Sequence, residues 1–298
     1  MKCTSPLKGF ILGKKSNGKL DLKICSGSID YVWKRGDVVE PCFFGNYSNK
    51  DNFRNSFFYS KNYSFIFDEF IEIPCGKCLS CRLNRANDWA VRCCLEMLYH
   101  DKSCFVTLTY DDDNLPPCRT SSVNVVTGEL GCSVSPVHSL VKKDYQLFFK
   151  RLRKRLGENV RISYYGCGEY GSKNFRPHFH FIIFGFFPDD CFVYRKTYNG
   201  DTLFISPFLN DVWGKGYVVV GEANYQSAAY VARYITKKQL GYSSSNYSIF
   251  DYEPEFNCMS LKPAIGKSYF DEFGQDLFDV KYLYIKQGID SSIKTRPP

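Results

Sequence analysis

Two pairs of residues in this chain have types and spacings that could do chemistry together. Arg176-Pro177-His178-Phe179-His180-Phe181-Ile182-Ile183-Phe184 carries two histidines one residue apart. Side chains i and i+2 of a strand share a face, so His178 and His180 would present their imidazoles side by side. Phe179, Phe181 and Ile183 would point the other way into a core. Just upstream, Gly166-Cys167-Gly168-Glu169-Tyr170-Gly171 places an acid near the end of the preceding strand, where Glu169 could fold back as an oxygen ligand. Two imidazoles and a carboxylate leave open positions on a divalent ion, Mg²⁺ or Mn²⁺, for Lewis-acid chemistry on a phosphodiester. The competing reading is two half-buried histidines at a strand end.

The second pair lies in Ala228-Ala229-Tyr230-Val231-Ala232-Arg233-Tyr234-Ile235-Thr236-Lys237-Lys238. At about 100° per residue, Ala228, Val231, Ala232 and Ile235 form one helical stripe, and Tyr230, Tyr234 and Lys237 lie nearly opposite. The tyrosines are therefore expected off the core, one turn apart. A phenol is a weak nucleophile near neutral pH unless a cation or a metal-polarised target assists it. Lys237, Lys238 and a metal would provide that assistance, giving a phosphotyrosine ester. Packing of the rings beneath a neighbouring loop is the alternative.

Cys75-x-x-Cys78-x-x-Cys81 gathers three thiols after a Pro. The spacing suits structural Zn²⁺, which takes four S or N ligands. Cys3, Cys42, Cys93 and Cys94 are available as the fourth, Cys3 being the candidate carried with the other three, and the spacing does not fix which. Free thiols or an iron–sulfur cluster are the rivals.

The elements that must position these groups follow from periodicity. Residues 1–70 read as short strands joined by turns, and 81–100 as a helix with Val91, Leu95 and Leu98 in phase. A strand at 104–110 runs into a polar loop, and 117–136 is a surface excursion with the character of a hairpin. The helix at 142–156 sets Tyr145, Phe148, Phe149, Leu152 and Leu156 on one face. Its other face carries Lys150, Arg151, Arg153, Lys154 and Arg155, a candidate phosphate track that a solvated surface would explain as well. Strands near 161–165, 177–186 and 217–220 and a helix over 225–240 complete the assignable part. Strands mixed with helices, without strict alternation, indicate an α+β fold with a central, mostly antiparallel sheet flanked by helices.

The 298 residues include 51 aromatic ones (26 Phe, 22 Tyr, 3 Trp), which excludes a disordered or low-complexity chain. A net charge of +8 favours a polyanionic partner over a neutral one. No apolar run approaches the roughly 18 residues of a membrane span, and the first residues lack a secretory apolar stretch. The expectation is a protein that stays in the cytoplasm where it is made, with most of its cysteines reduced.

Taken in order, Phe105-Val-Thr-Leu-Thr-Tyr-Asp-Asp-Asp-Asn-Leu-Pro116, Arg-Pro-His-Phe-His and Tyr-x-x-x-Tyr-x-x-Lys-Lys resemble HUH-family rolling-circle replication initiators. The resemblance is closer to those of small single-stranded-DNA bacteriophages (Microviridae, gokushovirus type). Pro74-Cys-Gly-Lys-Cys-Leu-Ser-Cys-Arg82 and Trp89-Ala-Val-Arg-Cys93 also resemble that group, so the match reaches from about residue 74 to 238. The resemblance implies an HUH endonuclease, RRM-like core over 101–240, a strand-rich and Cys-rich segment with its helix over 1–100, and a tail of unassigned structure over 241–298. It implies His178, His180 and Glu169 as metal ligands, with the third ligand variable in the family. Tyr230 and Tyr234 would be alternating nucleophiles, and Lys237 or Lys238 would neutralise the phosphate. Thr107, Thr109 and Tyr110, with Arg176, would help hold DNA.

The implied activity is site-specific nicking of the origin strand of replicative-form DNA. It would proceed through a 5′-phosphotyrosine and a free 3′-OH primer, followed by rejoining of the displaced strand as a circle. The implied partners are single-stranded or supercoiled origin DNA and host helicase and polymerase, because the sequence contains no Gly-x-x-x-x-Gly-Lys-Ser/Thr loop for unwinding. A non-catalytic single-stranded-nucleic-acid binding protein and an HUH transposase or relaxase are the alternatives.

Overall fold

Strict alternation in Ser-Cys-Phe-Val-Thr-Leu-Thr-Tyr makes one strand the axis of the fold: Cys104, Val106, Leu108 and Tyr110 are buried on one face, while Phe105, Thr107 and Thr109 occupy the other. The computed structural model describes residues 2–35, 37–42, 65–123, 130–198, 200–236, 247–248, 251–287 and 291–298. Two units emerge, Met1–Asn84 and Arg85–Pro298.

The first unit holds β1 (Leu7–Lys14), β2 (Leu20–Cys25), β3 (Tyr31–Arg35), β4 (Val38–Cys42), β5 (Phe65–Phe67) and β6 (Phe70–Ile73), the short strands that the sequence suggests. They form two three-stranded antiparallel sheets, ordered β2-β1-β6 and β4-β3-β5. Phe10, Cys25 and Val32 are buried among them. Helix α1 (Leu79–Met97) follows. The division between the units falls inside α1 rather than near residue 100, because Ala86, Ala90 and Cys93 bury their side chains in the core of the second unit.

The second unit contains the axial strand β7 (Ser103–Tyr110), the hairpin β8 (Pro117–Val123) and β9 (Leu130–His138), and α2 (Lys142–Leu156). Then come β10 (Ser163–Tyr170), β11 (Pro177–Phe184), β12 (Phe192–Lys196), β13 (Thr202–Ile205), α3 (Pro207–Trp213) and β14 (Gly216–Glu222). Helix α4 (Tyr225–Arg233) ends in a 3₁₀ turn (Tyr234–Thr236), and β15 (Phe256–Met259), α5 (Lys267–Asp279), β16 (Leu283–Gln287) and β17 (Ser291–Thr295) follow. Seven strands form one wholly antiparallel sheet, ordered β12-β13-β14-β7-β11-β10-β15. The fold is α+β, as the residue pattern indicates.

Both faces of this sheet are covered. Phe148, Phe149 and Leu152 of α2 and Leu209, Val212 and Trp213 of α3 pack on Leu108, Phe179 and Phe181. On the other face, Ala228, Val231 and Ala232 of α4 and Ala86 and Ala90 of α1 pack on Tyr165, Ile182 and Phe184. Small residues let α4 lie close to the strands. It begins with a capping box in which Asn224 Oδ1 accepts from the Ser227 amide at 2.9 Å and Ser227 Oγ accepts from the Asn224 amide at 2.8 Å.

Three readings of the sequence change here. Gly166-Cys167-Gly168-Glu169 is strand, not a turn after one: a Cβ on Gly166 would sit 2.0 Å from a Phe181 ring carbon, and one on Gly168 would sit 2.9 Å from Phe256. The glycines make room for those rings. The tyrosine helix ends at Arg233 and tightens, with residues 237–240 outside the described set. The region after residue 241 is not merely a tail, since it supplies the edge strand β15 and helix α5.

Candidate metal and tyrosine site

Antiparallel register assembles the site. Glu169 of β10 lies opposite His178 of β11, and Cys167 lies opposite His180. Alternation therefore puts the carboxylate and both imidazoles on the sheet face that α4 covers. His178 Nε2 lies 2.7 Å and His180 Nε2 3.0 Å from the same atom, Glu169 Oε1. Glu169 is 2% exposed and His180 5%.

The ring nitrogens on the far side are also engaged. His178 Nδ1 donates to the carbonyl oxygen of Arg176 at 3.1 Å, and His180 Nδ1 is 2.9 Å from Thr107 Oγ1. A backbone carbonyl only accepts, so Nδ1 of His178 carries a hydrogen toward Arg176, and Nε2 is the nitrogen that faces Glu169. Two imidazole nitrogens and a carboxylate oxygen at these distances can share protons or hold a cation between them. The three donor atoms lie within 4.8 Å of one another, and their outer nitrogens are held as metal-ligating histidines are commonly held. This donor set fits a divalent metal ion.

Both tyrosines reach this cluster. The Tyr230 ring lies 5.2 Å from the His180 ring, edge-on, while Tyr234 stacks on His180 at 5.4 Å and 12°. The two phenol rings meet edge to face at 4.8 Å. Only one of them is open: Tyr230 is 45% exposed and Tyr234 6%. The tightened last turn of the helix swings Tyr234 inward, against the helical-wheel expectation that both phenols lie off the core. Partial burial raises the pKa of Tyr230, with the Tyr234 hydrogen bond opposing. Tyr234 is pushed far above the usual phenol value by burial and by hydrogen bonds to Tyr230 and Glu169.

Other residues singled out in the sequence are distributed unevenly. Thr107 and Thr109 line a pocket of about 540 Å³ together with His180 and Tyr230. Arg176, at the same end of β11, bonds Asp112 at 2.5 Å and the Tyr110 carbonyl at 3.0 Å. Tyr110 itself points to the opposite face, 1% exposed, and its hydroxyl donates to Asp144 at 2.8 Å. Lys150, Arg151 and Lys154 belong to α2, which covers that opposite face, so the structure does not bring them to the histidines. Arg151 is further committed to the Val212 and Trp213 carbonyls at 2.7 and 2.8 Å, closing the end of α3. Lys237 and Lys238 lie outside the described residues. Sequence reasoning missed the pocket-lining residues Arg195, Asn224 and Ser227; the Asn-x-x-Ser cap before α4 was the available signal.

A second cluster lies in the first unit. The thiols of Cys3, Cys75, Cys78 and Cys81 all fall within 4.8 Å of one another, which selects Cys3 as the fourth member. Cys93 and Cys94 are buried in the part of α1 that belongs to the second unit, and the Cys42 side chain lies outside the described set. Hydrogen bonds from Thr4 and from the Cys81 amide lower the Cys78 thiol to about 5, into the thiolate range at neutral pH.

Comparison with known proteins places the second unit. The sequence model of the replication-associated protein ORF2 family matches residues 103–239. The chain is similar to replication-associated protein VP4 of Bdellovibrio phage phiMH2K, 35% identical over 226 residues, which are 74% of this chain and 64% of that protein. It is also similar to replication-associated protein ORF2 of Spiroplasma virus 4, 34% identical over 240 residues, 80% of this chain and 67% of that protein. Replication-associated protein ORF4 of Chlamydia phage 1 is 32% identical over 174 residues, 56% of this chain and 38% of that protein. The chain thus spans just under two thirds of the length of the Bdellovibrio phage protein. No solved structure matches.

The unequal burial of the two phenols makes a stability prediction. Tyr234→Ala removes a buried ring and should cost about 3–5 kcal/mol, whereas Tyr234→Phe and Tyr230→Ala should each cost under about 1.5 kcal/mol. Chemical denaturation of the three variants checks this; equal losses for the two alanine variants would contradict the placement.

Proposed function

The chain belongs to the phage replication-associated proteins, and from that premise we propose that it is a replication initiator that nicks one DNA strand by tyrosine transesterification. The observation that carries the reading is the convergence of two phenols on His180 beside a buried two-histidine, one-carboxylate cluster. His178, His180 and Glu169 would hold a divalent ion, Mg²⁺ or Mn²⁺. When bound, that ion supplies Lewis-acid polarisation of a phosphodiester.

The chain's own residues supply the rest. Tyr230 is the phenol that DNA can reach, so it makes the first cut. Its hydroxyl proton is released, Oη bonds to phosphorus, the P–O3′ bond breaks, and the leaving 3′ oxygen takes up a proton. The 5′ phosphate remains esterified to Tyr230, and the free 3′-OH can prime a host polymerase. Tyr234, in hydrogen-bond contact with Tyr230, performs the second transesterification, which lets the new 3′-OH rejoin the displaced strand as a circle. Thr107 holds the orientation of His180, and Lys237 or Lys238 neutralises the phosphate. Unwinding falls to a host helicase.

In the first unit the reading assigns structural Zn²⁺ to Cys3, Cys75, Cys78 and Cys81. Tetrahedral Zn–S bonds of about 2.3 Å put sulfurs about 3.8 Å apart, and Cys3 Sγ lies 3.7 Å from Cys78 Sγ. The metal would tie Cys3, near the start of the chain, to the loop that opens α1.

Purified protein incubated with Mn²⁺ and tiled single-stranded oligonucleotides from its own replicon should give a denaturant-resistant adduct on Tyr230. Tyr230→Phe should shift or abolish that adduct, and His178→Ala should reduce it at least a hundredfold. Folded, metal-loaded protein that binds strands on every tile without an adduct would sink the nicking reading and leave a binding protein. Elemental analysis should find about one zinc per chain in the wild type and none in Cys78→Ser; equal zinc in both would reject the four-thiol site.

A further inference from the structure

The register that assembles the histidine cluster continues beyond it. One cross-strand row runs Glu169, His178, Thr109, Tyr217 from β10 to β14. The next row runs His180, Thr107, Val219, Ile205, Phe192 from β11 to the edge strand β12. Residues paired across antiparallel strands share a face, so Tyr217 and Phe192 stand on the same face as the histidines. At about 4.8 Å per strand, Tyr217 lies two strands, roughly 10 Å, from His178.

Both rings are open, Tyr217 at 66% and Phe192 at 53% exposure. Arg195, paired with Leu203 on this face, lines the pocket that also contains Thr107, His180 and Tyr230. Isolated exposed aromatics are ordinary on a protein surface. Two in the register rows of one site, Tyr217 paired with the pocket-lining Thr109 and Phe192 on the strand that carries the pocket-lining Arg195, form a pattern that suits a ligand.

A nucleic-acid strand fits that pattern. A scissile phosphodiester at the histidines must have neighbouring nucleotides. Unpaired bases stack on aromatic rings whatever their sequence, while cations follow the backbone. Glu222 and Asp201 on the pocket wall disfavour phosphate there and can accept hydrogen bonds from base amino groups. Bases therefore point inward and the backbone passes on the Arg195 side. A duplex, with its base faces stacked on one another, would not use these rings.

We propose that the sheet face from His178 past Thr109 and Tyr217 to Phe192 and Arg195 is the track for the single-stranded DNA flanking the scissile phosphate. Tyr217 and Phe192 are its stacking platforms. The inference rests on the nicking reading for the place of the scissile bond, but its evidence is the register and exposure of residues that take no part in the chemistry.

The test is fluorescence anisotropy of a labelled single strand of about 20 nucleotides on the full chain, at several salt concentrations and without added divalent ion. Tyr217→Ala and Phe192→Ala should each weaken binding about tenfold, and Tyr217→Phe should restore it. Arg195→Ala should lower the salt slope by about one. Lys150→Ala/Lys154→Ala, on the helix covering the opposite face, should bind nearly as the wild type does. All variants should keep the wild-type melting transition, because the altered side chains are exposed. Unchanged affinity in Tyr217→Ala/Phe192→Ala while the wild type still forms its adduct would overturn the track and leave nicking intact; that is also the outcome if the rings serve a protein partner. Strand binding lost in Tyr217→Ala by a wild-type protein that never forms an adduct would uphold the track and overturn the nicking reading.

Discussion

The sharing of one carboxylate oxygen by two imidazoles is the constraint on which the rest of this structure depends. Glu169 is nearly fully buried, and a buried carboxylate is costly unless charge or hydrogen bonds compensate it. His178 and His180 meet it only because β10 and β11 pair without a slip: one residue of shift would turn Glu169 to the α2 face. The glycines at 166 and 168 hold that register by admitting Phe181 and Phe256 where any larger side chain would collide. The fold therefore places a cluster under a helix whose donor atoms suit a divalent cation.

The tyrosine helix is matched to that cluster by size. Ala228, Val231 and Ala232 let it settle onto the sheet, and the 3₁₀ turn after Arg233 lays Tyr234 flat on the His180 ring. Tyr230, one turn earlier, is left half open at the mouth of the pocket. Two chemically identical groups thus acquire different environments, one wet and accessible, one dry and hydrogen-bonded. On the nicking reading proposed above, that difference gives them different turns in a two-step reaction. The thiol cluster is a separate device within the first unit, joining residues 3 and 75–81.

Much of this is legible in the residues, and the exceptions have physical causes. Alternation around His178 and His180 correctly separates the face of Phe179, Phe181 and Ile183 from the face of the imidazoles, because a strand buried on both sides must obey a period of two. Glu169 is identified for an incorrect structural reason: Gly-x-Gly looks like a turn, whereas the glycines serve ring packing inside a strand. The basic run on α2 looks like a phosphate track, but charge spacing says nothing about which sheet face a helix covers. Tyr110 does not belong with Thr107 and Thr109, because its position in the alternation sends it to the opposite face. The hairpin of β12 and β13 escapes notice because every residue of Phe192–Lys196 is exposed, so no apolar period marks it.

The measurement that tests this account most directly is an anomalous difference map from crystals of the protein soaked in Mn²⁺. The account requires one peak bonded to His178 Nε2, His180 Nε2 and a Glu169 oxygen, each at about 2.0–2.3 Å, with Tyr230 beside it. An ordered site without a peak, its Nε2 atoms still bonded to Glu169 through protons, would contradict the account and reduce the cluster to a buried ion pair.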